Sequence, residues 1–217
     1  MEGIDLHTHS NISDGTLSPE QLVLAAVEKN IHTLALTDHD TMDGLILAEK
    51  AAEKQQIKII SGVEISSQWS RPATKKSYGV HIVALNMKNP EPLQRVLIEQ
   101  KKVRAARSKQ ICDLLIPLIH ESGGFAVLAH PTKYDLSATN IRYLIEIFAQ
   151  YGGDAVELPP AIEPASTRQM IDRKIAEHEL KVSVGSDFHG DHMPWIRLGN
   201  IPRLKEGQIG IWESFNH

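Results

Sequence analysis

This chain of 217 residues has only one cysteine, no long apolar run and no excess of positive charge. Its one cysteine, Cys112, cannot form a disulfide within the chain, which excludes a disulfide scaffold and favours a reducing compartment. No apolar run approaches the roughly 20 residues that cross a bilayer, and no basic and apolar leader precedes the first motif. We therefore expect a cytoplasmic protein with no membrane partner.

Positive charge is in slight deficit, because 23 Lys and Arg residues face 27 Asp and Glu residues, a formal net charge of −4. This balance excludes a protein that coats nucleic acid through general positive charge. It leaves open an enzyme that neutralises phosphate with bound metal ions. The apolar and charged fractions are those of a globular protein, and the length suits a single domain over residues 1–217.

Short apolar runs alternate with amphipathic stretches along the chain. The apolar runs predict strands at 3–6, 33–37, 57–65, 77–85, 125–128, 154–158 and 181–185. Strands that alternate with helices are normally parallel neighbours joined by right-handed crossovers. Seven such units predict an α/β fold with a closed or nearly closed barrel.

Capping and breaking residues place the helices between these strands. Ser18, Pro19 and Gln21 predict an N-cap, a first helical residue and a capping box. Further helices are expected at 43–55, 90–122, 138–150 and 164–178, with the stretch over 90–122 interrupted at Pro117 and ended by two glycines. Residues 68–76 are polar and basic, and they predict an exposed loop or hairpin.

Histidines and acids recur at the ends of the predicted strands. His7 and His9 are alternate residues, so both can reach one ion from the same face of a strand. The carboxyl ends of barrel strands form one mouth, so the groups that follow the other strands are expected to meet this pair there. The nine candidates are His7, His9, Asp14, His39, Glu64, His81, His130, Asp187 and His189.

The number and type of these groups indicate more than one metal ion. Nine candidates exceed the three or four protein ligands of one open catalytic site, and a carboxylate such as Glu64 can bridge two cations. Nitrogen and oxygen donors without thiolate favour manganese, iron or zinc. A single histidine by itself is more often a hydrogen-bonded core or surface residue than a ligand. We expect such roles for the five histidines that have no acidic partner in a motif: His32, His120, His178, His192 and His217.

Three other acids lie beside these candidates. Asp38 and Asp40 flank His39, and we expect that one orients this imidazole while the other caps the helix near Asp43. Glu157, at the end of its strand, suits either an outer layer of the metal site or a structural role.

The strand-end motifs together match a known pattern. They are Asp5-Leu6-His7-Thr8-His9-Ser10 and the segments 13–15, 37–40, 62–66, 129–131 and 185–189. This set resembles the PHP (polymerase and histidinol phosphatase) family over nearly the whole chain. Within the family, the segments 123–136, 153–157 and 194–199 are similar to the bacterial RNase AM branch. Members of that branch are phosphoesterases that remove the 3′-phosphate of nucleoside 3′,5′-bisphosphates and trim short RNA from its 5′ end.

The resemblance implies a distorted, TIM-like seven-stranded (βα) barrel with three divalent ions, manganese first and iron or zinc as alternatives. Asp14 stands where some PHP phosphatases have histidine, and the RNase AM branch has aspartate there. By motif, His7, His9, Glu64 and Asp187 would hold one ion, Glu64, His81 and His130 a second, and Asp14, His39 and His189 a third.

Two departures from the family stand out. Relatives carry a helical insertion of several tens of residues that resembles a lid, whereas here Leu115 is followed directly by Ile116. We expect this lid to be absent between those two residues, or else to have been left out of the sequence. Relatives also often have arginine at the position of Lys133, and lysine keeps the charge but loses the bidentate contact with phosphate.

The implied reaction is in-line hydrolysis by water. Ser10, Ser66 and Ser186 are interpreted as turn residues, so no covalent nucleophile is expected. Asp14 and His189 are the catalytic candidates for protonating the leaving oxygen, although a ligand role is the first interpretation of both. Arg104, Arg107 and Lys133 are the candidates for binding a non-reacting phosphate, and the alternative for the two arginines is a solvated helix face.

Other function classes remain open on the residues alone. A metal-dependent amidohydrolase would use a similar barrel and His-x-His entry, but it would normally need a carboxylated lysine or an equivalent bridge. A histidinol-phosphate phosphatase is possible within the family, and Asp14 argues against it. A regulatory remnant without activity is disfavoured by the full ligand set. The expected binding partner is a small nucleotide or the 5′ end of a short RNA, with no obligate protein partner evident.

Overall fold

The computed structural model describes residues 3–71, 76–102 and 111–215. Within these ranges the strands are β1 Ile4–Asp5, β2 Thr33–Leu36, β3 Lys58–Ser70, β4 Ser77–Leu85, β5 Phe125–Leu128, β6 Ala155–Glu157 and β7 Lys181–Ser183. The α-helices are α1 Pro19–Glu28, α2 Leu45–Ala52, α3 Glu91–Lys102, α4 Ile111–Glu121, α5 Ala138–Gln150 and α6 Ala165–Glu177, and a 3₁₀-helix covers Ile211–Ser214.

The seven strands form one sheet whose spatial order is the order of the sequence, β1 to β7. Most neighbours are parallel, but β4 is antiparallel to both β3 and β5. The expectation of parallel pairing throughout is therefore wrong for β4. A parallel connection needs a crossover of a dozen or more residues, and the short segment between Ser70 and Ser77 allows only a hairpin.

The two ends of the sheet are joined by backbone hydrogen bonds beyond β1 and β7. The Leu6 N–H donates to the Val184 carbonyl over 3.1 Å, the Asp187 N–H to the His7 carbonyl over 2.9 Å, and the His9 N–H to the Phe188 carbonyl over 2.9 Å. Gly185 lies in this seam, where a Cβ would stand 2.2 Å from the His7 Cβ. The expected seven-stranded α/β barrel is confirmed as a curled sheet closed through this seam.

An apolar cluster fills the interior of the sheet beneath its mouth. Strand alternation sends every second residue inward, and the inward set ends on polar residues at the mouth. In β3, for example, Ile60 belongs to the interior cluster and Glu64 follows it on the same face. The buried interior residues are Leu6, Ala35, Ile60, Val83, Leu85, Val127, Ala129 and Ala155, with Ile211 and Phe215 from the C-terminal segment.

The helices pack outside the sheet in two further clusters. One lies under α1 and α2 and the other under α3 to α6. The capping box expected at Ser18 is present, because its hydroxyl accepts from the Gln21 N–H and the Gln21 side chain accepts from the Ser18 N–H. Apolar residues on the inner sides of the helices therefore cover both flanks of the barrel.

Two local expectations are corrected. β3 does not end near Ile65 but continues to Ser70. The loop or hairpin expected over 68–76 is thus a hairpin, but its first part is strand and Trp69 there is buried against Tyr78 and Tyr143. Helix α4 runs through Pro117 instead of breaking there. Proline removes one helical hydrogen bond, but Leu115, Ile116 and Ile119 on either side are buried in the core. Among the described residues, no helix is long and apolar enough to cross a membrane.

Core packing on the α5 side is expected to dominate stability. Leu144 in α5 is fully buried, whereas Leu24 in α1 is 48% exposed. Leu144→Ala should lower the free energy of unfolding by about 2–5 kcal/mol, because it leaves a cavity, and Leu24→Ala by less than about 1 kcal/mol. Denaturant titrations of the two variants measure both values, and equal losses would contradict this packing.

Candidate metal centre

The nine candidate ligands come from loops and strands at one mouth of the barrel. His7 and His9 follow β1, His39 follows β2, and Glu64 lies within β3. His130 follows β5, while Asp187 and His189 follow β7. The structure thus brings together side chains that are up to about 180 residues apart in the sequence, as expected for the carboxyl ends of barrel strands.

The reversed strand β4 contributes His81 through its register. Glu64 pairs with Val83 and Ser66 pairs with His81 across β3 and β4. Residues opposite each other share a face, so His81 is the diagonal neighbour of Glu64 on the inner face. The antiparallel hairpin therefore places this imidazole beside Glu64, and its Nδ1 lies 2.7 Å from Glu64 Oε1.

Glu64 is the centre of the site. Its buried carboxylate faces five imidazoles: Oε2 lies 3.1 Å from His7 Nε2, 3.2 Å from His9 Nε2 and 3.3 Å from His39 Nδ1. Its other oxygen, Oε1, lies 2.7 Å from His81 Nδ1 and 2.8 Å from His130 Nε2. A carboxylate with imidazoles on both oxygens is arranged as a bridging ligand would be.

Several of these buried polar atoms have no hydrogen-bond partner among the described residues. They include His7 Nε2, His9 Nε2, Glu64 Oε2 and Asp187 Oδ1. These four atoms lie 3.1–3.4 Å apart in the pairs His7–Glu64, His7–Asp187, His9–Glu64 and His9–Asp187. Ligands about 2.1 Å from a tetrahedral ion stand roughly 3.4 Å from one another. The donor set therefore fits a divalent cation, which would satisfy atoms that are otherwise costly to bury.

Three overlapping groups have ligand atoms within 4.8 Å of one another. The first cluster is His7, His9, Glu64 and Asp187, the second is His39, Glu64 and His81, and the third is His9, Asp14, His39 and His189. The first has the composition that the resemblance implies. The second has His39 in place of His130, although His130 Nε2 lies close to Glu64 Oε1, and the third gains His9. Metal ligation by these residues stays a prediction.

Two histidines are oriented from behind by hydrogen bonds. His7 Nδ1 lies 2.7 Å from Glu157 Oε2, so the imidazole can donate there and present Nε2 to the first cluster. His189 Nδ1 likewise donates to the Asp187 carbonyl over 2.9 Å and presents Nε2 to the third cluster. Outer partners of this kind hold metal-binding histidines in one tautomer. Glu157, for which the sequence left two roles open, occupies this outer position.

The electrostatics of the centre are those of ionised acids among imidazoles. Burial opposes ionisation of Glu64, but the histidines around it, His7 first, hold the pKa of this carboxyl far below its usual range. The pKa of Asp187 is lowered in the same way against burial. Burial also opposes protonation of His7, yet Glu64, Glu157 and Asp187 raise the pKa of this imidazole well above its usual value.

Backbone strain occurs at two of the candidate ligands. His130 has a φ of 21° and Asp187 a φ of 55°. Both values lie in the left-handed region that residues other than glycine rarely adopt. Tyr134 stabilises the turn after His130, because its hydroxyl donates to the Ala129 carbonyl over 2.8 Å and accepts from the His81 N–H over 2.8 Å. Such strain persists where the surroundings over-determine it, as at functional sites.

Sequence reasoning missed two supporting residues. Tyr134 carried no signal except its position four residues after His130. Asp5 opens the first motif but was given no role. In the structure the buried Asp5 carboxylate accepts from the Ser186 and Gly199 N–H groups over 2.9 and 2.8 Å, which ties β1 to the loop after β7, and burial raises its pKa to about 6.

The acids around His39 do not have the roles expected of them. Asp38 accepts hydrogen bonds from Ser10 and Ser13 instead of orienting His39. Asp40 accepts from the Ser66 N–H over 2.8 Å, and helix α2 begins after Gly44 without a side-chain cap. Both expectations failed because neighbours in sequence point to different elements in the folded chain.

The candidates for catalysis and phosphate binding lie at the rim. Asp14 is 54% exposed, and its Oδ1 lies 3.4 Å from His189 Nε2, so the two catalytic candidates are adjacent. The Lys133 ammonium forms an ion pair with Asp187 Oδ2. Arg104 and Arg107 lie outside the described residues.

The chain is similar to known proteins over nearly its whole length. Residues 5–173 match the family model described as PHP domain. A 5′-3′ exoribonuclease of Haemophilus influenzae is 32% identical, over 97% of this chain and 98% of the relative. A 3′,5′-nucleoside bisphosphate phosphatase of Chromobacterium violaceum is 29% identical, over 99% of this chain and 96% of the relative.

The fold is also similar to that of a solved structure, and the chain is shorter than its alignment with a relative. A protein from Chromobacterium violaceum, described as an amidohydrolase with bound sulfate and no metal, superposes with a TM-score of 0.78 at 26% identity, over 99% of this chain and 96% of that chain. The alignment with the Haemophilus exoribonuclease has 276 positions, which exceeds the 217 residues of this chain by 59. At least that many aligned positions therefore have no residue of this chain opposite them.

Metal binding at this centre should release protons. Because the pKa of His7 is raised, the metal-free protein keeps a proton there at neutral pH, and a cation on Nε2 must displace it. Apparent affinity for manganese should therefore rise with pH, by about tenfold per unit for each displaced proton, until the pH passes the raised pKa. Titration in weakly buffered solution measures the released protons.

Glu157→Gln is the control for this effect. It removes a negative charge beside His7, so it should lower the pKa of that imidazole and reduce proton release at neutral pH. Binding that is independent of pH between about pH 6 and about pH 8 would contradict a cation held on His7.

Proposed function

The chain belongs to the PHP domain family, and from that membership we propose that it is a metal-dependent phosphoesterase which removes the 3′-phosphate of nucleoside 3′,5′-bisphosphates and trims short RNA from its 5′ end. The observation that carries the proposal is the buried Glu64 carboxylate among five imidazoles. Relatives that match nearly the whole chain bear the names of these two activities.

The three clusters would hold three divalent ions, with manganese first and iron or zinc as alternatives. When bound, such ions lower the pKa of water toward neutrality and offset negative charge on phosphoryl oxygens. Glu64 would serve as a ligand in both the first and the second cluster, and Asp187 would complete the first. His130 would add its imidazole next to the second cluster, beside Glu64 Oε1.

Proton transfer to the leaving oxygen is assigned to the rim of the site. Asp14 and His189 lie together there, and Asp14 is the more exposed of the two. A group at this edge can meet a leaving alcohol that still carries the remainder of the nucleotide. For each of them, proton transfer and a ligand role in the third cluster are alternatives, because an atom that binds a cation carries no proton to give.

The non-reacting phosphate needs a cationic binding group of its own, and among the described residues Lys133 is positioned to provide it. The Lys133 ammonium contacts Asp187 Oδ2, and the lysine side chain remains partly exposed at the mouth. A terminal 5′-phosphate held by Lys133 would give the 5′-to-3′ direction a physical cause. Arg104 and Arg107 are proposed as further partners of this phosphate.

We propose that the chain lacks the helical lid of its relatives. Helix α4 is continuous across Leu115 and Ile116, and both side chains are buried. The alignment length leaves room for tens of residues that only the relative has. The mouth would then be more open, and substrates would be small nucleotides or short RNA ends in the cytoplasm. The intact mass of the expressed chain tests whether the segment is present.

An amidohydrolase activity is the second candidate, because one similar structure bears that description. The central bridging candidate here is a glutamate, whereas amidohydrolases of this type normally use a carboxylated lysine. Histidinol phosphate remains an alternative substrate of the same reaction class.

The direct test is phosphate release with added manganese. We expect turnover of 3′,5′-bisphosphoadenosine in preference to histidinol phosphate, a bis-aryl phosphate and an amide substrate. Glu64→Gln should lower kcat/KM by at least about 10³, because it removes the charge on which the cation clusters depend. Glu49→Gln, the same change on the exposed side of α2, is the control. Turnover of the amide alone would overturn the proposal.

The role of Lys133 is tested by comparing two substrates. Lys133→Ala should raise KM for adenosine 3′,5′-bisphosphate by about tenfold or more, the loss expected for a hydrogen bond to a charged group. KM for adenosine 3′-monophosphate should change little, since it has no 5′-phosphate. Lys133→Arg should retain most of the affinity. An equal loss for both substrates would show that Lys133 acts through Asp187 instead.

A further inference from the structure

The loop that carries Asp14 is built differently from the rest of the metal centre. Most candidate ligands lie in strands or directly after them, but Asp14 lies on the turn that follows Ser10. This turn is closed by backbone bonds from the Ser13 and Gly15 N–H groups to the Ser10 carbonyl, over 3.2 and 2.8 Å. The Asp14 side chain itself has one described hydrogen-bond contact, 3.3 Å from Ser13 Oγ. Something else must hold the turn in place.

Asp38 is the group that contacts this turn from within the protein. It is only 1% exposed, and its Oδ1 accepts from the Ser10 N–H and from the Ser13 hydroxyl, both over 2.7 Å. Its Oδ2 accepts from the Ser10 hydroxyl over 2.7 Å. All described hydrogen bonds of the Asp38 carboxylate therefore go to the turn. Ser13 Oγ has a single proton, and the shorter contact with Asp38 takes it in preference to Asp14.

We propose that Asp38 is a positioning residue that sets Asp14 in the third cluster, an inference that rests on the proposed metal-dependent function. The two residues 38 and 39 then act on this cluster from two sides. His39 contributes its imidazole directly, with Nε2 3.7 Å from Asp14 Oδ2, and Asp38 acts through Ser10 and Ser13.

The chemistry explains why a carboxylate suits this position. A buried carboxylate without a cationic partner is costly unless donors surround it, and three short bonds supply that compensation here. Asparagine would keep one accepting oxygen but would turn an amide N–H₂ toward Ser10 Oγ, which already accepts from the Ile12 N–H over 3.2 Å. Asp38→Asn should therefore be milder than Asp38→Ala, which removes all three bonds.

The effect should be confined to the third cluster. The first cluster is held by other contacts, because Glu64 lies in β3 and His7 is oriented by Glu157. His189 is oriented by the Asp187 carbonyl. His9 directly precedes the turn, but its own N–H donates to the Phe188 carbonyl over 2.9 Å. Asp14 is the member of the third cluster that lies within the turn that Asp38 holds. Loss of Asp38 should thus release one ion and leave the remaining ions in place.

The test measures metal content and affinity, and it needs no assay of activity. Wild type, Asp38→Ala, Asp38→Asn and Asp14→Asn are titrated with manganese, and bound metal is counted by elemental analysis after dialysis. We expect Asp38→Ala to bind one ion at least about tenfold more weakly, the loss typical of outer partners of a metal site. Asp38→Asn should lose less. Asp43→Asn, the same change at an exposed position nearby, should match wild type.

A double variant separates positioning from general stabilisation. If Asp38 acts through Asp14, Asp38→Ala combined with Asp14→Asn should bind metal no more weakly than Asp14→Asn alone. Should Asp38→Ala fail to fold, Ser13→Ala removes one bond from the same carboxylate and should show a smaller loss at the same ion.

The outcomes separate the role of Asp38 from the proposed metal-dependent function on which it rests. If wild type binds no divalent ion, the proposed function is wrong and the role of Asp38 is overturned with it. If wild type binds ions but Asp38→Ala keeps their number and affinity, only the role of Asp38 is overturned. Additive losses in the double variant would likewise overturn it.

Discussion

One carboxylate organises the mouth of this barrel. Glu64 is fully buried, yet its two oxygens face five imidazoles that come from different strands and loops. A buried negative charge of this kind is tolerable only where cations or donors surround it on all sides. Among these five, His7 is in turn oriented by Glu157, and at the rim His189 is oriented by the Asp187 carbonyl. Several of the buried atoms here have no partner in the described part of the chain, and it is these atoms that a cluster of cations would satisfy.

The fold supports this centre through two devices that depart from a regular α/β barrel. The reversed strand β4 brings His81 onto the inner face beside Glu64. This ligand therefore comes from within a strand, whereas the parallel strands β1, β2, β5 and β7 present theirs from the loops that follow them. The seam beyond β1 and β7 then joins the two edges, with Asp5 bonded to Ser186 and Gly199. Ligands from the first and last strands thereby share one cluster.

The composition of the site and the order of the elements could be predicted from the sequence because each depends on local pattern. The apolar run at 125–128 and the helical pattern at 138–150 located β5 and α5 to the residue. The capping residues located the capping box at Ser18. The direction of β4 was left unresolved, because residues 68–76 predicted a loop or a hairpin whereas the alternation of strands and helices predicted parallel neighbours. The helix through Pro117 was missed because burial of its neighbours outweighs the lost hydrogen bond. One of Asp38 and Asp40 was wrongly expected to orient His39, because adjacency in sequence does not reveal which loop a side chain faces.

By itself, the sequence determined which chemical groups are available: six histidines and three acids at the ends of apolar runs, in motifs that belong to the PHP family. The tertiary structure alone decided how they divide into overlapping clusters, which oxygen of Glu64 faces which imidazole, and that Asp38 and Glu157 act from behind. The reason is that motif and periodicity are properties of neighbouring residues. Distances between strands depend on the register and curl of the whole sheet.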